Sequence, residues 1–458
     1  MRFARSKAKW TVALVALALL AAACGTSDDT TTTATATAGD EATTTTAAEA
    51  TTTTAVESLE GETIEVMASW GGAEQAGFQE VLAAFTAATG VEVTYVSERE
   101  MSQVLPTRIA GGNAPDVAMI PRPGEIAAFV EDGVAISYAD LGVDMGAISG
   151  NYSDSVLDLG TFGGDLYGLM TASNSKSTFW YKPASFAEQG FDVPETFDEL
   201  VAITDAYVAA GKVPLSIGGL DGWTLTDWFE NIYVRVAGPD NYNKLFVTQE
   251  IPWTDPTVVT AMELFRDIIT PTDDKLIGGA AGTNSTGFID AWDLVLGGDA
   301  EMYYEGGFMG NFARDNFPDL TGGTDYSFFN FPEIDSQYGK PVVGGGDFAV
   351  AFTNTPGSRA FIDFLATEEA NAIWATASEG SRITPHQGVS STLFADPLTA
   401  LEAGFIKSAD IFVFDGSDLA PAAVGGDAMF TALQTFIQNP DDILGVLEFI
   451  ESAAAGTR

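Results

Sequence analysis

TIEVMASWGGAEQAGFQEVLAAFTAATGVEVTYVSE, residues Thr63–Glu98, is the stretch whose reading decides the fold. TIEVMASW (Thr63–Trp70) is a strand that stops at Gly71-Gly72. Ala73–Gly90 has amphipathic helical spacing and a terminal glycine. VEVTYVSE (Val91–Glu98) is a second strand. Strand, helix, strand in succession implies a parallel pair joined by a crossover. The next segment repeats the logic. Ser102–Gly124 reads as a helix, a Gly-rich turn and a buried strand over Asp116–Ile120, and EIAAFVEDG (Glu125–Gly133) opens another helix. In α/β sheets, ligands sit outside the carboxyl ends of the strands. Trp70 to Glu74 and Pro121 to Glu125 both leave such ends and are the first site candidates.

Upstream of this unit the texture is different. MRFARSKAKW is a basic head, and TVALVALALLAAA is an apolar run too short for a membrane span and ending in small residues. The run leads directly into Cys24, the single cysteine of the chain. Residues 1–23 are expected to be an export signal and Cys24 a lipidated anchor, because position, apolar run and small residues resemble the bacterial lipobox. The competing reading is an ordinary signal peptide with an incidental cysteine. Residues 24–60 are mostly Thr, Ala, Asp and Glu and cannot bury enough apolar area to fold, so a flexible tether is expected. An exported protein held at the outer face of the cell membrane follows.

Composition excludes several functions. There are 20 Lys+Arg against 64 Asp+Glu, a net charge of -44. A surface of that sign repels phosphate backbones, so nucleic acid is not a partner. One cysteine and one histidine, His386, rule out Cys- or His-based metal clusters and an internal disulfide. His386 lies in a polar loop without a G-x-S-x-G elbow. The glycine-rich stretches contain neither a dinucleotide nor a phosphate-loop motif. No cofactor, metal or catalytic residue is expected.

The middle of the chain is helix-rich: Ala184–Gly190, Thr196–Gly211 with Thr196 as cap, Thr224–Gly238, Pro256–Thr270 and Thr286–Gly298 all have helical spacing. AEMYYEGGFMGNF (Ala300–Phe312) is a strand breaking into a glycine turn, and DYSFFNFPEI and PVVGGGDFAVAF are further strands. Ser358–Ala377 is expected to be one strong helix. With no long linker after Glu60, two lobes joined by several short crossings fit the pattern.

The order of these motifs resembles the family 1 extracellular solute-binding proteins, the sugar-binding lipoproteins of ABC importers. GGNAPDVAMI (Gly111–Ile120), the stretch from Gly164 to Leu200, MYYEGGFMGNF, GGGDFAVAF and RAFIDFLATEEANAIWA carry the likeness, which spans about Glu62 to Ser452. GSRITPHQG, WYKPASFAEQGFDVPETFDEL and GGGD look most like the α-glucoside binders. The resemblance implies a two-lobed α/β periplasmic-binding-protein-like fold of type II, each lobe a sheet flanked by helices, with a cleft between them. It implies an N-lobe of 62–171 plus 344–400 and a C-lobe of 172–343 plus 401–458. Hinges would lie near Thr171–Asn174, Val343–Gly346 and residue 400.

A sugar presents apolar C–H faces and a rim of hydroxyls, so it needs aromatic platforms and directional donors and acceptors. The candidates in the first lobe are Trp70, Glu74 and Arg122. Ser173, Asn174 and Lys176 would lie on the cleft floor, unless they are only solvated hinge groups. In GGLDGWTLTDWF (Gly218–Phe229), Trp223 and Asp227 stand at a loop entering a helix. Glu305, Gly306 and Phe308 follow a strand, and Gly346 and Asp347 repeat that logic, the glycines letting backbone approach a ligand. Arg382 is the remaining donor. Asp116, Trp180, Tyr181 and Trp228 read as structural, and FDGSDLAP (Phe414–Pro421) as a closing element or a plain acidic loop. The expected partners are a neutral sugar and membrane permease subunits, with the protein a monomer. A surface glycoside hydrolase and a tethered adhesion protein are the alternatives from other classes. With 64 acids, carboxylate pairs alone cannot decide for a hydrolase.

Overall fold

The computed structural model describes residues 59–378 and 382–458. Residues 1–58, which hold the expected export signal, Cys24 and all but the last two residues of the expected tether, lie outside the described residues; Leu59, expected in the tether, packs against the core of the first sheet and its N–H donates to the Thr89 carbonyl at 2.8 Å. Among those described, no helix is long and apolar enough to cross a membrane.

The opening unit folds as its sequence pattern demands. β1 (Thr63–Ala68) and β2 (Glu92–Ser97) pair in parallel, Val66 opposite Tyr95, across the helix Gly72–Thr89. That helix buries Phe78, Val81, Leu82 and Phe85, spaced to share one face. Each such side chain contributes about 1.5–3 kcal/mol on burial. The helix ends where Gly90 takes φ 82, a left-handed conformation that costs glycine little. β3 (Val117–Ile120) pairs in parallel with β1 on its other side. Asp116 closes the join: it accepts from the Glu65 backbone N–H at 2.7 Å and from the Thr353 hydroxyl. Its role is structural, as its place before a buried strand suggests.

The remaining strands of the two main sheets, in chain order, are β4 (Gly168–Ser175), β5 (Thr178–Tyr181), β6 (Leu215–Ser216), β7 (Met302–Tyr304), β8 (Ser327–Asn330), β9 (Val342–Ala351) and β10 (Phe412–Phe414), and a separate antiparallel ribbon pairs Thr161–Phe162 with Asp165–Leu166. The first sheet has the order β10-β9-β3-β1-β2, with β4 also paired to β9; the second has the order β8-β5-β7-β6. Strand–helix alternation led to an expectation of parallel pairing, and the outcome is mixed. β9 runs antiparallel to both β3 and β4, and in the second sheet only β6 and β7 are parallel. β9, with its parallel neighbour β10, re-enters the first sheet against β3, whereas β4, antiparallel to β9, keeps the sense of β3.

Each sheet has its own core. Around the first, Val66, Met119, Leu169, Ala349 and Phe361 are buried together; around the second, Phe179, Trp228, Phe265, Met302 and Phe331 are. Between them β4 and β9 lie side by side, Gly344 opposite Ser175 and Gly346 opposite Ser173, with a bulge between Asp347 and Phe348. Residue 400 falls inside a helix, Pro397–Ser408; the strand that runs beside β9 at Val342–Gly344 is β10.

Two helical expectations change. Ser358–Ala377 is two helices, Pro356–Leu365 and Glu368–Ala377, because the Thr367 hydroxyl caps the second by accepting from the Ala370 N–H. The helix starting at Trp223 runs on to Phe246, across a break at Gly238-Pro239.

Candidate functional site

The candidates converge where β4 and β9 pass between the two sheets. Lys176 follows β4, and its carbonyl is fixed by the Asn231 amide at 2.9 Å and the Tyr304 hydroxyl at 2.5 Å. Its ammonium meets three carboxylates: Asp227 at 3.3 Å, Asp415, and Asp418 at 3.7 Å. Asp227 and Asp415 are fully buried. Burial opposes the charge on Lys176, but these carboxylates outweigh it and hold its pKa well above the usual lysine range. Burial likewise works to raise Asp415, and Lys176 leads the groups that bring it down to about 2. Asp227 is pushed up by burial. The cluster with Glu230 has the donor set for a metal, but the ammonium already occupies the approach to Asp227 and Asp415, and both Glu230 oxygens accept from the Gly416 and Ser417 N–H groups.

An aromatic wall stands beside this charge network. Trp223 opens its helix and is half-buried; Lys176 sits 5.3 Å from its ring centroid. Phe288 and Phe308 lie 5.2 and 6.2 Å from Trp223, centroid to centroid. The turn bearing Phe308 is held by Trp180, whose indole N–H donates to the carbonyls of Glu305 and Gly306 at 3.2 and 3.3 Å. Trp180 is thus core, as its strand position indicates. Glu305 beside it is fully buried, and burial pushes its pKa up to about 8.

Arg382 forms the opposite side. Its guanidinium lies over Trp70 at 4.6 Å and Trp374 at 3.5 Å, and its Nη2 is 3.7 Å from Asp347. Its position is set by Ile383, whose carbonyl accepts from the Ser173 N–H of β4 at 2.9 Å. Asp347 is raised by burial, with Arg382, Lys176 and the Trp70 side chain pulling the other way. Glu74, near Arg382 and Asp347, is raised to about 7 by burial.

Several of these buried polar atoms have no hydrogen-bond partner among the described residues: Asn174 Oδ1, Asp227 Oδ2, Glu305 Oε1, and Arg382 Nε and Nη2. Unpartnered buried polar atoms are costly unless something else meets them. Flat rings next to free donors and acceptors suit a ligand with both apolar faces and hydroxyls.

Five residues expected at the site are placed differently. Trp70 is no open platform: it is 4% exposed, set edge-on to Phe78 and Trp374, and its face lies under Arg382. Arg122 is paired through its Nε, 3.1 Å from Asp418, while its Nη2 has no hydrogen-bond partner among the described residues. Gly306 and Gly346 are glycine for the protein's own packing. A Cβ at Gly306 would strike the Phe308 ring, and one at Gly346 would strike the Ala172 carbonyl and Met170. Ser173 serves through its backbone, paired with Gly346 and Ile383.

Residues not singled out complete the site. Trp374 sits on a helix face that reads as plain core. Glu402 reaches in from the helix Pro397–Ser408 to accept from the Ser175 N–H at 2.7 Å, and burial raises it to about 8. Asp415 and Asp418 come from the acidic segment whose role the sequence left open.

Comparison with known proteins identifies the family and the fold. Residues 69–372 match the family described as bacterial extracellular solute-binding protein. The chain is 33% identical over 395 residues to the α-glucosides-binding periplasmic protein AglE of Rhizobium meliloti, covering 83% of this chain and 84% of that one. It is 31% identical over 383 residues to the osmoprotective compounds-binding protein GgtB of Synechocystis sp., covering 82% and 89%. The fold is similar to that of the bacterial solute receptor AcbH, with a TM-score of 0.76 at 21% identity, covering 86% of this chain and 99% of that one. With its two sheets, each flanked by helices, and its crossing strands between them, the chain belongs to the bacterial extracellular solute-binding proteins and has their periplasmic-binding-protein-like fold.

Proposed function

We propose that this protein captures a neutral sugar, an α-glucoside or small oligosaccharide, in the cleft between its lobes and delivers it to the permease of an ABC importer. The observation that carries the reading is the pairing of the Trp223–Phe308 wall with unpartnered atoms of Asn174, Asp227, Glu305 and Arg382. Rings take the apolar face of a pyranose, and the free donors and acceptors take its hydroxyls. The α-glucoside assignment leans on the 33% identity to AglE. GgtB is named for osmoprotective compounds, and these join the mono- and disaccharides of the test panel.

In this reading the lobes are those read from the sequence, with the third crossing moved from residue 400 to the neighbourhood of β10. The lobes close around the ligand by hinging at β4, β9 and β10. The protein is a monomer carried by lipid on Cys24 at the outer face of the membrane, and it performs no catalysis. A thermal-shift panel of mono- and disaccharides, followed by calorimetric titration, tests the binding. At least one α-glucoside raises the unfolding midpoint by mass action. No shift with any sugar, or turnover of an aryl glucoside lost on Glu305→Gln, overturns the reading.

A further inference from the structure

Arg122 leaves the carboxyl end of β3 in the first lobe, yet its guanidinium rests on elements packed with the second. Its Nε is 3.1 Å from Asp418, and its carbon lies 5.6 Å from the ring centroid of Phe430. A Cβ at Gly426 would come within 3.0 Å of both terminal nitrogens of Arg122. Gly426 stands in a widened helical turn, Ala423–Ala428, that leads into the helix Met429–Gln438. Val424, Met429 and Leu433 of these segments are buried in the second core. The neighbouring Gly425 has no room for a side chain because the Ser417 carbonyl lies against it, and Gly124 is closed off in the same way by the Ala420 carbonyl. Three glycines therefore let the two lobes meet at this point. Wide turns of this kind are frequent at functional sites.

Asp418 also serves the ligand floor, since its other oxygen is 3.7 Å from Lys176 Nζ. A single carboxylate thus links Arg122 to the cation that organises Asp227 and Asp415.

We propose that Arg122 is the closure latch of the cleft, a positioning residue that acts on the ligand site through Asp418 and Lys176 and does not touch the ligand. This rests on the reading of the cleft as a closing ligand site. Gly426 is the seat of the latch, and its lack of a side chain is what admits the guanidinium. A latch stabilises the closed form by the same amount whatever the ligand, so it sets affinity without setting selectivity.

The test uses the full chain with Arg122→Gln, Gly426→Ala and the double variant, titrated with maltose and trehalose and followed by small-angle scattering. Each single variant lowers affinity for both sugars by about tenfold, leaving their ratio unchanged. The double variant loses no more than either single one, because both remove the same contact. In scattering, the free variants have a larger radius of gyration than the free wild type. A changed ratio of the two affinities places Arg122 on the sugar and overturns the latch, as does an affinity unmoved by Arg122→Gln. If wild type binds neither sugar, the α-glucoside reading fails instead, and scattering alone decides the latch: equal radii for wild type and both variants overturn it. Gly426→Ala meets only the flexible end of Arg122, so it keeps the test open should Arg122→Gln fold poorly.

Discussion

The guanidinium carbon of Arg382 lies 3.5 Å from the ring centroid of Trp374. With Trp70 at 4.6 Å as a second ring and Asp347 3.7 Å from Nη2, the planar cation is fixed on three sides, and its Nε and Nη2 have no hydrogen-bond partner among the described residues. Stacked, forked recognition is particular to arginine. Arg382→Lys keeps the charge and loses the stack and the fork. Calorimetric titration should show sugar affinity falling by about tenfold or more. An Arg382→Lys protein that binds as tightly as wild type would show that the free nitrogens play no part in capture.

Lys176 is the counter-charge of a buried acidic cluster, and its removal should be felt first in folding. Lys176→Met leaves Asp227 and Asp415, both fully buried, without their cation. Breaking a buried pair from one side costs about 3–5 kcal/mol. Urea unfolding measures that loss. Adding Asp415→Asn to Lys176→Met should recover part of it, since the second change removes one stranded charge. If the double variant is less stable than the single one by the full cost of Asp415→Asn alone, the two groups are not coupled.

The opening strand–helix–strand unit, the Thr196 cap and the structural role of Asp116 were all legible, because local periodicity and capping chemistry decide them. The direction of β9 was not, because it depends on which half of the molecule supplies each neighbour. At the site, the sequence pointed to Lys176, Trp223, Asp227, Glu305, Phe308, Asp347 and Arg382, and the structure gathers all seven. Among the residues placed differently, Trp70, Gly306 and Gly346 share one reason. A tryptophan at a strand end, or a glycine in a turn, looks the same whether its neighbour is a ligand or another side chain. Trp374 and Glu402 were invisible because each lies on an amphipathic helix whose pattern is complete without them.

Trp223 and Trp70 should therefore separate binding from stability. Trp223 is half-buried at the aromatic wall, whereas Trp70 is 4% exposed inside the first core. Trp223→Ala should weaken sugar binding by tenfold or more, on the order of 1.5 kcal/mol or above for a lost stacking face, with a small change in unfolding free energy. Trp70→Ala should cost about 3–5 kcal/mol of stability. Unfolding curves and titrations on both variants decide it. A Trp223→Ala protein with unchanged affinity would remove the aromatic wall from the site.

Four carboxyls predict a pH dependence of stability whose sign is fixed by burial. Glu305 and Glu402 are raised to about 8, and Glu74 and Asp418 to about 7, by loss of hydration. Their ordinary values are 4.5 for Glu and 3.8 for Asp. Between those values and about 8 the folded protein holds protons that the unfolded chain has released, so stability falls as pH rises through that window. Asp227 and Glu230, fully buried and likewise raised by burial, act with the same sign. Asp415, held near 2, has the opposite sign, but its contribution is lost only as pH falls below 3.8. His386, lowered by burial, favours higher pH up to its ordinary 6.5 and opposes the four carboxyls as a single group. The thermal midpoint should therefore drop from about pH 5 to about pH 8.5. Repulsion across a surface of charge -44 acts in the same direction, but about 1 M salt screens it and leaves the buried groups' share in place. Glu402→Gln should flatten the residual slope. A midpoint that becomes independent of pH at high salt would assign the whole effect to the surface.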